Sequence, residues 1–307
     1  MSDVTIVATG LGFPEGPVAL GDGSVALVEI AHGRVTRVGP DGTVRVAALP
    51  GGGPNGMAVG PDGAFYVCNN GGFTWTRENG WLRPTAPAPD YTTGRIERID
   101  PDTGAVSLVY DHCGAHALCG PNDLVFDRDG GFYFTDTGRV RARDRDHGGV
   151  YYGKADGSHI IPVAYPVLTP NGIGLSPDGQ VLYVAEMEPA RLWAFDILEP
   201  GVVRKAPFPG PPHGGRLVVG LGGYQRLDSL AVCQSGNVCL ATLVAGCITV
   251  VSPEGAVVRR VAMPDLYPTN LCFGGPGRST AFVTLSLTGQ LVSTPWPEPG
   301  LALHFER

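Results

Sequence analysis

Six oxygen-bearing side chains, Glu15, Asn55, Asn122, Asn171, Asp228 and Asn270, occupy matching places in six copies of one short pattern. The pattern is seen most fully in Thr169-Pro170-Asn171-Gly172-Ile173-Gly174-Leu175-Ser176-Pro177-Asp178-Gly179. A polar residue is followed by a short apolar run, a turn with glycine, and a second apolar run. The six hold two carboxylates and four amides, with no His, Cys or Lys among them. Brought to one place, the carboxylates repel each other and require protons or a cation in compensation. Hard oxygen donors suit Ca²⁺ first, then Mg²⁺ or Mn²⁺, rather than a metal held by thiolate or imidazole. An ion with open positions polarises a carbonyl and lowers the pKa of a bound water, while amide N–H groups stabilise an oxyanion. That is the chemistry of metal-assisted hydrolysis.

The spacing of the copies says how they are brought together. The turn glycine follows eight residues after each of Glu15, Asn55, Asn122, Asn171 and Asp228, and seven after Asn270. Successive copies start 40, 67, 49, 57 and 42 residues apart, about fifty on average, which is the period of propeller blades. An Asp-Gly or Ser-Gly pair between β-rich runs marks a tight hairpin. The pattern predicts an all-β fold, a six-bladed β-propeller spanning residues 1–307 as one domain. The residue that opens each innermost strand then lies at one mouth of the central channel, so the six side chains converge. An open ring would leave a bare sheet edge, so residues 3–8 are expected to join the last blade beside the run near Gln290–Thr294.

The long second interval contains residues 71–93, where Trp75, Trp81, Pro84, Pro87, Pro89 and Tyr91 interrupt the β pattern. It reads as an aromatic, proline-rich loop serving as a lid or recognition surface. The charged stretch 139–147 reads as a solvated connection.

Gly 46 and Pro 28 make up about a quarter of the chain, but they fall between Val-, Leu- and Tyr-bearing runs and so punctuate strands instead of signalling disorder. A net charge of −7 without a Lys/Arg cluster excludes nucleic acid as the expected partner. No apolar run is long enough to span a bilayer, and Met1-Ser2-Asp3-Val4-Thr5 lacks the regions of a secretion signal, so a cytoplasmic location is expected. The seven cysteines include no C-x-x-C pair, and Cys233 and Cys239 sit in apolar runs, which predicts buried free thiols. A small molecule is the expected partner, and both a monomer and a homodimer fit.

In this order and spacing, the segments Pro14-Glu15-Gly16-Pro17, Pro121-Asn122-Asp123, Tyr133-Phe134-Thr135-Asp136, Pro170-Asn171-Gly172, Leu227-Asp228-Ser229-Leu230 and Thr269-Asn270-Leu271-Cys272-Phe273 resemble the gluconolactonase and regucalcin (senescence marker protein) family of lactonases. The resemblance covers nearly the whole chain. It implies that Glu15, Asn171 and Asp228 bind the metal, usually Ca²⁺ and sometimes Zn²⁺, Mn²⁺ or Mg²⁺. It further implies that Asn122 contacts substrate and that Asp228 is the general base, with a low pKa while the metal is bound. Asn55, Asn270, Trp75 and Cys119 complete the expected substrate-facing set.

Two departures qualify that expectation. Sugar lactonases of the family commonly carry an Arg just before Pro-Asn-Asp, where this chain has Ala117-Leu118-Cys119-Gly120, which predicts a pocket less polar at that stretch. Ser229 stands where Gly is usual. His112 and His116 flank the same stretch as alternative acid or base groups. Lactone hydrolysis is the first reading. The alternatives are isomerisation, elimination or phosphotriester cleavage at the same centre, and a non-enzymatic calcium-binding propeller.

Overall fold

The computed structural model describes residues 3–306. Six antiparallel sheets of four or five strands follow one another along the chain. Their innermost strands are Pro14–Ala19, Pro54–Val59, Pro121–Phe126, Pro170–Leu175, Arg226–Val232 and Pro268–Gly274. Each pairs with the strand that follows it across a short turn, as the Asp-Gly and Ser-Gly signals require. Among the described residues the only helical segments are two short 3-10 turns, Ile30–His32 and Pro276–Arg278. Among the described residues no helix is long and apolar enough to cross a membrane.

The sixth sheet takes its outer strand from the other end of the chain: Thr5–Ala8 pairs antiparallel with Gln290–Pro295, Thr5 opposite Ser293. The apolar core is divided into six clusters, each in the seam between neighbouring blades. Val125, Tyr133, Tyr152, Leu182 and Phe195 join the third and fourth blades, for example, and Leu27, Val38, Ala8 and Leu291 join the first and sixth. Burying each large side chain contributes about 1.5–3 kcal/mol, so the ring is held by its seams as much as by its ladders. All seven cysteines are free, and five are buried.

The segment 71–93 differs from the loop expected. Phe73–Glu78 and Trp81–Pro87 form a two-stranded hairpin, with Trp75 opposite Pro84. Among the described residues the hairpin has no further neighbour strand, so both of its strands are edges. Proline lacks an N–H to donate but is tolerated there. The prolines hid the alternation from the sequence pattern. The blade itself continues past this excursion, since Arg95–Ile99 returns to pair with Phe65–Asn69.

Candidate active site in the channel mouth

In all six innermost strands, the ladder loses register at the polar residue or immediately before it. The shifts fall between Glu15 and Val18, Pro54 and Met57, Pro121 and Leu124, Pro170 and Ile173, Leu227 and Leu230, and Pro268 and Asn270. An irregularity of this kind re-aims a side chain and ends pairing locally. At the same level the backbones of neighbouring blades nearly touch. A Cβ on Gly56 would lie 2.4 Å from the Asn122 carbonyl oxygen, and one on Gly172 would lie 2.6 Å from the Leu230 nitrogen. Glycine at these two places lets the hub close.

A cavity of about 580 Å³ opens at this end of the hub. Glu15, Asn55, Asn122, Asn171 and Asp228 all line it. Asn270 lies behind Glu15: its Nδ2 donates to Glu15 Oε2 at 2.8 Å, while its own Oδ1 accepts the Leu271 N–H at 2.7 Å. The Gly16 N–H also donates to Glu15 Oε2, at 2.7 Å. Asn171 Oδ1 accepts from Ser229 Oγ at 3.4 Å. The opposite end of the hub narrows to a space of about 90 Å³ against Leu301, Leu303, Phe305 and Glu306 of the C-terminal tail.

The electrostatics of the hub separate two kinds of buried acid. Glu29 is matched by Arg34 at 2.7 Å, His32 at 2.7 Å and the Gly12 N–H at 2.6 Å. Asp136 accepts backbone N–H groups from Cys119, Gly120 and Gly138 at 2.7–2.8 Å. These acids tie loops to strands. Glu15, Asp123 and Asp228 have no basic partner at salt-bridge distance among the described residues.

Burial, followed by the charge of Asp228, holds the Glu15 carboxyl well above the usual carboxylate range. Burial likewise pushes Asp228 up to about 7, opposed by the Asn171 amide and reinforced by the charge of Asp123. Asp123, raised by burial against the pull of the Leu124 N–H and Ser229, also reaches about 7. The low pKa expected of Asp228 beside a cation is therefore not supplied by the protein alone.

The donor set fits a hard divalent cation. Two uncompensated carboxylates and an amide oxygen share the cavity wall, and Asn122 Oδ1 is buried there without a partner among the described residues. No three His, Cys, Asp or Glu side chains come together as metal ligands among those residues, so an ion held here would depend on amide oxygens as well. Oxygen-only coordination of that kind suits Ca²⁺ or Mg²⁺ better than Zn²⁺.

The other expected site residues fall elsewhere. Trp75 is partly buried on the hairpin and does not line the cavity. It packs on Phe13 at 5.1 Å and Phe73 at 6.0 Å, both of which do. Cys119 is also outside the lining, and its carbonyl accepts the Tyr91 hydroxyl at 2.8 Å. His112 and His116 are exposed on a short hairpin, His112 beside Asp111 at 2.9 Å, and neither lines the cavity.

The stretch 139–147 reads as a solvated connection, yet Arg139 is only 5% exposed and lines the cavity. Its burial depends on Tyr91 and Phe73, which are distant in sequence. The guanidinium lies 4.2 Å and 5.0 Å from their ring centroids. Asp123 was visible in its motif, but only the closed hub shows that its charge is uncompensated.

Fold and site together define a six-bladed propeller whose channel mouth carries uncompensated carboxylates among amides. The SMP-30/Gluconolactonase/LRE-like region model matches residues 13–286, and the chain belongs to that family. It is 26% identical to the gluconolactonase of Zymomonas mobilis, over 92% of this chain and 79% of that protein. It is 29% identical to lactonase drp35 of Staphylococcus saprophyticus, over 69% of this chain and 57% of that protein. Among solved structures it resembles a calcium-binding protein, regucalcin, from Agrobacterium tumefaciens, with a TM-score of 0.74, 17% identity and 98% of each chain covered.

Proposed function

We propose that the protein is a divalent-metal-dependent lactonase acting on a small molecule in the channel mouth. The observation that carries this reading is that Glu15, Asn171 and Asp228, from three blades, line one cavity, and that neither acid has a basic partner at salt-bridge distance among the described residues. The gluconolactonase and lactonase relatives supply the substrate class.

A divalent cation held by Glu15, Asn171 and Asp228, Ca²⁺ by preference, would supply Lewis-acid polarisation of the lactone carbonyl and acidify a nearby water. The chain's own groups do the rest. Asn122 Oδ1, unpaired and buried, accepts a hydrogen bond from a substrate hydroxyl, and Asn55 lines the same wall. Asn270 and the Gly16 N–H fix the Glu15 carboxylate. Asp228 takes a proton from the attacking water as its oxygen bonds to the carbonyl carbon. The ring C–O bond then breaks and the proton passes to the departing alkoxide, leaving a hydroxy acid. Proton transfer of this kind is worth about 10²–10⁴-fold in rate.

The test is acid release from a panel of five- and six-membered lactones, followed by pH-stat for the protein and for Asp228→Asn. Hydrolysis of at least one lactone, reduced about a hundredfold or more by the substitution, is expected. Failure on every lactone, or an Asp228→Asn variant as fast as its parent, contradicts the proposal.

A further inference from the structure

We infer that Arg139 is a specificity-determining residue and that the substrate carries an anionic carboxylate, which this guanidinium binds in the cavity that Asp228 also lines. The inference rests on the lactonase reading for the reaction but not for the binding.

Arg139 lines the cavity, and it is buried with Nε and Nη2 unpaired among the described residues. These two donors share one edge of the guanidinium plane, the edge that grips a carboxylate with two parallel hydrogen bonds. Stacking on Tyr91 and proximity to Phe73 hold the plane without using those donors. Buried Asp136 feels the Arg139 charge but is already engaged by the N–H groups of Cys119, Gly120 and Gly138 and makes no salt bridge to Arg139 among the described residues. Asp146 meets the Arg139 backbone N–H at 3.1 Å and turns its carboxylate to the Arg141 guanidinium.

A buried cation without a partner is costly, and a ligand carboxylate removes that cost while forming charge-assisted bonds. The cavity therefore carries both acids and a cation. Glu15 and Asp228 supply the acids, near which the ester carbonyl would react, and Arg139 supplies the buried guanidinium with unpaired donors; Arg226, whose charge acts on Asp228, and Arg141, which is engaged by Asp144 and Asp146, line the same cavity. An anionic group on the substrate fixes which way round it enters. The hairpin over Arg139 meets the sixth blade through the Leu82 N–H and the Leu287 carbonyl at 3.4 Å and the first through Trp75 on Phe13.

The test pairs two probes of each kind. Tetrahydrofuran-2-carboxylate and its carboxamide cannot be hydrolysed and report binding by calorimetry. A γ-lactone bearing a ring carboxylate and its carboxamide twin report turnover. The parent protein is expected to bind the carboxylate roughly thirtyfold more tightly than the carboxamide. Arg139→Met should abolish that ratio, and Arg139→Lys should restore only part of it. The same ratio should appear in KM for the two lactones, with kcat little changed. Because the donors are unpaired, Arg139→Met should keep its Tm.

Equal binding of both probes by the parent overturns the inference, as does a ratio that survives Arg139→Met, whatever happens to Tm. If the ratio is present and depends on Arg139 but neither lactone is hydrolysed, the hydrolytic reading fails while the anion site stands.

Discussion

The Nδ2 of Asn270 donates to Glu15 Oε2 at 2.8 Å, joining the inner strand of the last blade to that of the first across 255 residues of sequence. Beside the bonds that the Thr269 and Ser286 hydroxyls donate to the Pro14 carbonyl, this bond links the first and last blades at the hub and holds an acid on the cavity wall. Replacing Asn270 with Ala leaves a buried carboxylate short of a donor, which costs about 2 kcal/mol. Asn270→Ala should therefore lower Tm by several degrees and weaken cation binding together. Loss of Tm with unchanged cation affinity would show that Glu15 does not need this partner to face the cavity.

The hub acids set a pH dependence opposite to that of ordinary surface carboxylates. In the unfolded chain they titrate near 4. In the folded protein burial raises Glu15, Asp123 and Asp228, the last two to about 7. Between those values the folded state holds more protons than the unfolded one. Stability from these groups is thus present in acid and lost as pH rises through about 7. Asp146, held low by the Arg141 guanidinium, works the other way but has finished titrating by about pH 5. EDTA-treated protein should melt about 5 °C or more lower at pH 8 than at pH 5, and Ca²⁺ should erase most of the difference. A Tm that rises over this range in EDTA would contradict the assigned shifts.

The close approach of blades at the hub makes its glycines unequal to those outside. Gly172→Ala forces a Cβ to within 2.6–2.7 Å of the Ser229–Leu230 backbone, which cannot give way as a side chain could. A loss of about 3 kcal/mol or more is expected. Gly222→Ala, with nothing within 4 Å of the added Cβ, is the neutral control. Chemical denaturation of the two variants should separate them clearly, and similar midpoints would mean that the hub is looser than described.

The hairpin of residues 73–87 walls the cavity without supporting the blade. The Ala88 N–H reaches the Gly72 carbonyl at 3.1 Å at its base, and Phe65–Asn69 pairs directly with Arg95–Ile99. Excising residues 73–87 and joining the ends through two glycines should leave Tm within a few degrees. Because Phe73 and Pro87 line the cavity, KM should rise about tenfold or more with a smaller change in kcat. Unaltered KM would place substrate binding wholly within the blades.

Much of this fold was legible because its signals are short-range and repeated. A turn glycine at a fixed distance from Asn55, Asn122 or Asn171 is a local fact, and six such facts at blade spacing leave little choice of architecture. What stayed hidden depends on contacts between distant residues. The register shifts that aim Asn122 and Asp228 leave no mark in composition. The strand character of Phe73–Pro87 was masked by Pro84 and Pro87, which only an unpaired edge tolerates. Arg139 sits in a run of charges, and its burial is decided by Tyr91, nearly fifty residues earlier. Asn270 shares the pattern of the cavity-lining amides, yet the hub turns it onto Glu15.

The central claim is that a hard divalent cation between Glu15, Asn171 and Asp228 is required for lactone opening. Its most direct test is the rate of acid release from a lactone by EDTA-stripped protein as Ca²⁺ is titrated back. We predict negligible turnover in the stripped protein and recovery that saturates at one ion per chain. Undiminished turnover in excess EDTA would contradict the account.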